Sequence, residues 1–292
     1  MNPDSRLTRV GSSSSAGQPD GVSSHATARW HGLLCTVAVL NLALWFLSAL
    51  AVTRQETVIE ADVACYMQLM LSAAYVFGCA FRSVLPVYDI PRIVLVDSRW
   101  SSVVVGRSVA TIAELCFAAQ WALILHRTAS LSDSPFGQAA ALAIVPLIVL
   151  AEICSWYSVL TTEQFGHVVE NSLWGFSAAL MVAGLLVIGP HRVAELYPPL
   201  IVWCIGGAVY VVFIFVFDVP MYWSRWRDDQ TARRQHLTLA QGVVDVCRRW
   251  VVSRRWEDWK SEVLWMSLYF TLGVWSSISV VYACLALGAH RH

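Results

Sequence analysis

Three ionisable residues lie inside long apolar stretches of this chain, and their types suggest acid–base chemistry. Arg107 and Glu114 share one stretch with Thr111 between them, and spacings of four and three residues place all three on one helix face. Glu152 lies in the next stretch. Charged groups at membrane depth are costly unless they are paired, so each is a functional candidate. We predict Glu114 and Glu152 as catalytic proton-handling groups, with Arg107 as their electrostatic partner.

A second set of residues predicts how a substrate would be held. They are aromatic or polar, and most fall towards the same side of the apolar stretches as the three charged residues. The predicted substrate-binding residues are Trp156, Tyr157, Glu170, Asn171, Trp174, Tyr210 and Asp218. Aromatic faces stabilise a cation, and a buried carboxyl group can exchange a proton near neutral pH. The combination suits isomerisation, hydration or cyclisation of a lipid-soluble small molecule.

The same residues also have a purely structural interpretation. Arg107 and Glu152 could form a buried ion pair that fixes the register of two helices and does nothing more. Glu114 could be protonated and hydrogen-bonded to a neighbouring carbonyl. Glu170 and Asp218 lie near the ends of their stretches, where solvated edge residues are common. The sequence leaves the functional and the structural interpretation open.

The elements that must position these residues are membrane-spanning helices. Hydrophobic residues make up 57% of the chain and charged residues only 14%, which is far from soluble averages. A run of about 20 apolar residues crosses a bilayer as a helix, because a helix satisfies its own backbone. The predicted spans are 33–53, 63–85, 102–126, 136–160, 168–189, 197–219 and 263–287. The predicted fold is therefore an all-α membrane protein, with a seven-helix bundle over 30–292.

The positive charges predict the orientation of this bundle. Fifteen Lys and Arg residues fall on one side of the alternating spans and four on the other, while Arg107 lies within a span. Since Lys and Arg accumulate in cytoplasmic loops, the N-terminus is predicted in the cytosol and the C-terminus outside. A plasma membrane or a bacterial inner membrane is favoured over an organelle. Residues 1–29 are rich in Ser and Gly, and they predict a disordered cytosolic tail.

The predicted loop 220–262 is the only sizeable segment between spans. Leu239, Val243, Val246 and Trp250 recur there at helical spacing beside several arginines, which predicts an amphipathic helix within 236–252 on the inner leaflet. Interleaved Trp and Arg can also bind single-stranded nucleic acid. A loop tethered at both ends to a bilayer instead favours membrane lipids as its partner, and we predict no nucleic-acid binding.

Several function classes are disfavoured by what the chain lacks. The histidines fall at separate ends of different spans, so we predict no zinc or other metal site. The single lysine, Lys260, precedes the last predicted span, which excludes a retinal pigment. No dinucleotide or phosphate-loop motif occurs, and we predict no cofactor. The eight cysteines form no C-x-x-C pair, so neither a disulfide framework nor a thiol-redox site is expected.

Three functions remain in competition. The first is an enzyme or binding protein for a lipid-soluble small molecule, with a polar cavity that opens towards the cytosolic side. The second is a proton-coupled transporter that uses Arg107, Glu114 and Glu152 as a relay, with Gln68, Gln120 and His126 continuing to the outer face. The third is a non-catalytic scaffold or sensor that uses the segment 220–262 as its contact surface. The sequence pattern does not indicate the oligomeric state of the protein.

Overall fold

The computed structural model describes residues 20–55, 63–189, 197–248 and 250–289, and almost all of them are helical. The helices are α1 (Asp20–Gln55), α2 (Val63–Val84), α3 (Val103–Leu131), α4 (Pro135–Thr161), α5 (Phe165–Ile188), α6 (Tyr197–Phe213), α7 (Val219–Thr231), α8 (Leu239–Arg248), α9 (Trp256–Leu268) and α10 (Val274–Ala289). π-Helical turns at Ile214–Asp218 and Tyr269–Gly273 join α6 to α7 and α9 to α10. Seven helices, counting each joined pair as one, are long and apolar enough to cross a membrane, as predicted.

Three of the predicted boundaries differ from the structure. Helix α1 begins at Asp20, so residues 20–29 of the predicted disordered tail are helical, while residues 1–19 lie outside the described residues. Tertiary packing extends this helix, because Thr27 and Trp30 are buried and the Trp30 ring contacts that of Trp259. The sixth span continues to Thr231 and the seventh begins at Trp256. Much of the predicted loop 220–262 is therefore helix.

Each of these long helices packs mainly against its neighbours along the chain, and α10 returns to pack against α2 and α1. The connection from α4 to α5 is especially tight. Helix α4 ends at Thr161, and its capping residue Thr162 has a left-handed φ of 65° and donates its N–H to Ser158 O at 2.8 Å. Helix α5 begins three residues after Thr162, at Phe165. This turn reverses the chain, so that Glu152 on α4 and Glu170 on α5 both reach Arg107.

Three connections meet at one end of the bundle, which we call the arginine-rich end. Strands β1 (Val87–Tyr88), β2 (Ile93–Val94) and β3 (Val251–Val252) form a small sheet there. The β1–β2 pair is antiparallel and the β2–β3 pair is parallel. Buried Arg92 adds an ion pair to Asp245 of α8 at 2.9 Å. The loop 86–95 and the segment 232–255 are thus fixed to each other across the end of the bundle.

Helix α8 is the helix predicted within 236–252, and it is shorter than that range. It begins with a capping box, in which the backbone N–H of Thr238 donates to Gln241 Oε1 and that of Gln241 donates to Thr238 Oγ1. Val246 is buried, whereas Leu239 and Val243 are more than half exposed. One side of α8 therefore packs on α4, and an apolar strip remains uncovered within the described chain.

The π-helical turn in the last long helix is stabilised from α1. A π-turn displaces a backbone carbonyl from the regular helical ladder, and such turns often lie at functional sites. The amide of buried Asn41 donates to Phe270 O at 2.7 Å, and its Oδ1 accepts from Trp275 Nε1 at 3.0 Å. Asn41 thus satisfies a carbonyl within the π-turn and ties α1 to the helix that carries Tyr269.

Replacing Asn41 tests whether its hydrogen bonds stabilise the π-helical turn. Asn41→Leu keeps the approximate size but leaves Phe270 O without its donor, so the free energy of unfolding should fall by about 1–3 kcal/mol. Thermal unfolding in mild detergent measures the effect. Leu40→Ala, at an exposed position of the same helix, is the control and should move the midpoint far less. Equal midpoints for Asn41→Leu and wild type would contradict the role of Asn41.

Candidate functional site

Arg107 of α3 lies at the centre of a cluster of carboxylates from three helices. Its Nη2 is 2.6 Å from Glu152 Oε2 on α4, 3.2 Å from Glu114 Oε2 on α3 and 3.4 Å from Glu170 Oε1 on α5. The structure therefore brings together the three residues predicted to be catalytic and adds Glu170. A guanidinium group suits this position because it keeps its charge and offers several donors in one plane.

Neutral donors add hydrogen bonds to two of the carboxylates. Thr111 donates to Glu152 Oε2 at 2.6 Å and accepts in turn from Trp156 Nε1 at 3.0 Å. Tyr269 donates to Glu114 Oε1 at 3.2 Å. The bonds from Thr111 and Tyr269 fix the orientation of the carboxyl groups that accept them.

His167 extends the cluster towards the end of α5. Its Nδ1 is 2.6 Å from Glu170 Oε2, and Asn171 donates to the His167 carbonyl at 2.8 Å. Glu170 thus connects the Arg107 cluster to the imidazole of His167.

The cluster holds more negative than positive charge. Three ionised carboxyl groups beside one guanidinium leave two negative charges, so two further positive charges, supplied by protons or a cation, are needed to balance them in an apolar bundle. One oxygen of each of Glu114, Glu152 and Glu170 lies within 4.8 Å of the others, a spacing that could hold a metal ion. Arg107 Nη2 already contacts all three, however, and supplies positive charge at that point. Proton exchange among the coupled carboxyls is the simpler consequence.

A cavity of about 410 Å³ extends from the arginine-rich end to this cluster. Helices α2, α3, α5, α6, α7 and α9 and the loop after β1 line it. Its acidic lining residues are Asp89, Glu114, Glu170, Asp218 and Glu262, and its basic ones are Arg82, Arg107 and Arg225. Its aromatic walls are Tyr88, Trp174, Tyr210, Phe213, Phe217, Tyr222, Trp265, Tyr269 and Phe270. The cavity is therefore aromatic and carries an excess of acid.

The two π-helical turns supply lining residues on opposite walls. The turn after α6 presents Phe217 and Asp218, and the turn after α9 presents Tyr269 and Phe270. Gly175 lets the first turn approach α5, because a Cβ at this position would lie 2.9 Å from Ile214 Cγ2 and 2.7 Å from Phe215 Cε2. The irregular helix geometry thus decides which side chains reach the cavity.

The loop after β1 covers part of the arginine-rich end of the cavity. Arg82 Nη1 lies 3.8 Å from Asp89 Oδ1, and Arg82 Nη2 donates to the Val87 carbonyl at 3.0 Å. Burial raises the pKa of the Tyr88 phenol, and the negative charge of Glu262 acts in the same direction. Positive and negative groups are balanced here, so the excess of acid lies deeper in the cavity.

The remaining half of the bundle contains a large cluster of buried apolar side chains. A cluster of buried residues from α3, α4, α5, α6 and α10 includes Leu125, Ile148 and Trp203. Gln120 donates to Ser277 O at 2.8 Å and accepts from Ser277 Oγ at 2.7 Å, and Gln68 donates to Gln120 O at 3.0 Å. These amides are used in helix-to-helix bonds, so within the described chain the cavity is confined to one half.

Most of the predicted binding residues line the cavity, but two do not. Glu170, Asn171, Trp174, Tyr210 and Asp218 line it together with Arg107 and Glu114. Glu152 lies behind Arg107 and is not among the lining residues. Trp156 bonds to Thr111, and Tyr157, 44% exposed, donates to Glu163 at 3.2 Å outside the cavity.

Sequence reasoning included Tyr210 and Asp218 but missed the other cavity residues on the last two long helices. Asp218, Tyr222 and Arg225 recur at spacings of four and three, as do Glu262, Met266 and Tyr269. This helical spacing is the signal in the sequence that these residues share a helix face. The predicted spans ended at 219 and began again at 263, which placed Tyr222, Arg225 and Glu262 in a loop. Because the helices continue through these positions, their polar faces turn into the cavity.

A double-mutant cycle tests whether Arg107 and Glu152 act as a buried pair. Arg107→Met leaves carboxylates without their counter-charge and should lower the free energy of unfolding by about 3–5 kcal/mol. Adding Glu152→Gln removes one of those charges, so the double variant should lose at least 1 kcal/mol less than the sum of the single variants, by an approximate estimate. Thermal unfolding in detergent provides the comparison.

The exposed pair Lys260–Glu257 is a matched control for this cycle. Both side chains are more than half exposed, so Lys260→Met and Glu257→Gln should show coupling of roughly 0–1 kcal/mol. Additive effects at Arg107 and Glu152 would contradict the buried pair.

Comparison with known proteins finds no matching family model, no matching curated protein and no matching solved structure. The function proposed for the chain therefore rests on the geometry of the carboxylate cluster and of the cavity that leads to it.

Proposed function

We propose that this protein binds a lipid-soluble small molecule in the cavity and acts on it by acid–base chemistry at Glu114. The observation that supports this proposal is the position of Glu114. Its side chain lines the cavity, while its two oxygens contact Arg107 and Tyr269. A carboxyl group placed between an apolar ligand site and a charged network can exchange a proton with the ligand.

The surrounding residues have distinct roles in this proposal. Glu114 donates or accepts the proton at the ligand. Arg107 and Glu152 form the fixed pair that sets the charge around Glu114, and Thr111 holds Glu152 in place. Glu170 and His167 offer a route for the proton towards the arginine-rich end. Isomerisation and cyclisation need this kind of proton transfer in a site that excludes bulk water, and hydration needs it together with one water molecule admitted as co-substrate.

The distribution of polar groups favours this function over proton-coupled transport. A relay across the membrane needs titratable or hydrated groups that continue to the far side. In the described chain, Gln68 and Gln120 are instead bonded to other helices, and buried apolar residues fill that half of the bundle. A scaffold would not need the cavity at all.

Native mass spectrometry of the purified protein tests the proposal. Wild type is expected to retain a lipid-soluble molecule from the membrane. Glu114→Gln keeps the shape of the side chain but removes its exchangeable proton. This variant should therefore retain the unconverted form, with the ratio of converted to unconverted ligand lowered by about 100-fold or more.

Glu257→Gln is the matched control, because Glu257 is exposed and pairs with Lys260 outside the cavity. It should carry the same ligand as wild type. Wild-type protein without a bound small molecule would contradict the proposal. The same ligand at the same ratio in all three proteins would contradict the role of Glu114.

We also propose that the arginine-rich end faces the cytosol, with α8 against the inner leaflet. The excess of Lys and Arg on this side of the spans supports the orientation. The exposed Leu239 and Val243 would enter the headgroup region of the membrane, while Arg248 binds lipid phosphates. Membrane lipids are thus the partner proposed for α8.

Cys247 is a natural reporter of this orientation, because it lies on α8 and is exposed. A membrane-impermeant maleimide should label it in inside-out vesicles and leave it unlabelled in intact cells. Cys247→Ser removes this reactive thiol and is the control for labelling elsewhere. Labelling of wild type, but not of Cys247→Ser, in intact cells would reverse the proposed orientation.

A further inference from the structure

Asp218 is a buried carboxylate that lacks a partner within the described part of the chain. It is only 8% exposed and lines the cavity at the end of the π-helical turn after α6. Although it stands at the start of α7, its side chain makes no capping hydrogen bond, and it forms no ion pair with another described residue. A buried carboxylate without partners is costly, so the group that satisfies it comes from the cavity.

Asp218 forms no ion pair with the described charged residues around the cavity. Arg225, about two turns further along the same helix, lies over the ring of Tyr222, with Cζ 5.4 Å from the ring centroid, and it attracts Asp218 only from beyond ion-pair distance. Arg82 is directed to Asp89 and the Val87 carbonyl. Arg107 is shared among three other carboxylates. The acidic lining residues Glu262 and Glu170 add to the negative potential at Asp218.

Aromatic side chains surround this part of the cavity. Phe213 stacks on Trp265 with ring centroids 6.0 Å apart and planes at 5°, and Phe217 stacks on Phe213 at 5.7 Å. Tyr210 lies about two turns before Asp218 and Tyr222 about one turn after it along the same continuous helix, and both line the cavity. Aromatic faces beside a carboxylate attract organic cations, whose apolar carbon atoms also contact the rings.

We infer that the cavity takes a hydrophobic amine or ammonium cation, whose charged nitrogen is bound by Asp218 between aromatic walls. This inference names the ligand class for the proposed function and rests on that function for its biological meaning. The nitrogen of the ligand donates to or faces the Asp218 carboxylate. Its apolar part contacts the stacked rings of Phe213 and Trp265 and extends towards Glu114.

The composition of the cavity favours an organic cation over other ligands. An anionic headgroup would face an excess of carboxylates. A metal ion bound at Asp218 would need several oxygen ligands, whereas the surfaces around Asp218 are mainly aromatic. A neutral lipid would leave the Asp218 carboxylate without a counter-charge.

Three probes with the same alkyl chain separate these ligand classes. Dodecylammonium, dodecanol and dodecanoate present a cation, a neutral group and an anion at pH 7. Each is titrated into the full-length protein in a neutral detergent, and the thermal unfolding midpoint is recorded. We expect dodecylammonium alone to raise the midpoint of wild type in a saturable manner.

Variants at Asp218 test whether dodecylammonium stabilises the protein by binding at this residue. Asp218→Asn should weaken the apparent affinity for dodecylammonium about tenfold or more, because it replaces a charged acceptor by a neutral one. Asp218→Glu keeps the charge and should restore most of the affinity. Glu257→Gln, which removes an exposed carboxylate at the same end of the bundle, should leave the affinity unchanged.

Several results would overturn the inference. Dodecanol that stabilises wild type as well as dodecylammonium does would show that charge is not recognised, and this comparison needs no variant. If Asp218→Asn binds dodecylammonium with the same affinity as wild type, the cation binds at a site other than Asp218.

The inference and the proposed function fail in different ways. A native ligand without a basic nitrogen that is processed by wild type but not by Glu114→Gln would refute the inference and keep the function. Saturable dodecylammonium binding at Asp218, in a protein that retains no convertible ligand, would keep the inference and refute the proposed function.

Discussion

The structure depends on one guanidinium group held inside an apolar bundle. Removing Arg107 from water carries a large desolvation cost, and only close carboxylates offset it. Those carboxylates come from α3, α4 and α5, so the contacts of Arg107 fix three helices at one level. Because three acids surround one base, further donors are required, and Thr111 and Tyr269 supply them. The need to satisfy one charge therefore organises residues from four long helices.

The two halves of the bundle differ because their side chains differ in size and polarity. Small and branched residues of α3, α4 and α5 interlock in one half and leave little free space there. In the other half, polar side chains and large aromatic rings cannot interlock in the same way, and a cavity remains. The π-helical turns increase this effect, since each one rotates the following residues relative to a regular helix. Asp218 ends the first of these turns, Tyr269 begins the second, and both face the cavity.

The sequence predicted the parts of the structure that depend on local composition. Seven apolar runs gave seven long helices, because a helix is the structure that satisfies a backbone in lipid. The rarity of charge within those runs pointed to Arg107, Glu114 and Glu152. Span ends were less predictable, since Tyr222 and Glu262 are polar enough to resemble loop residues although they lie in helices. Trp156 and Tyr157 were misplaced relative to the cavity because helical spacing alone does not tell which face meets it.

By itself, the sequence determined that this chain forms an apolar helical bundle with a few charged groups that must be paired inside it. Only the tertiary structure decided how they pair. It gave Arg107 three acidic partners, left Asp218 without a hydrogen-bond or ion-pair partner among the described residues and placed both beside one cavity. The physical reason is that hydrophobic burial acts on every apolar residue alike, whereas ion pairs and cavities depend on the rotation and register of helices distant in the sequence. That rotation is fixed by close contacts such as those of Gly175 and Asn41.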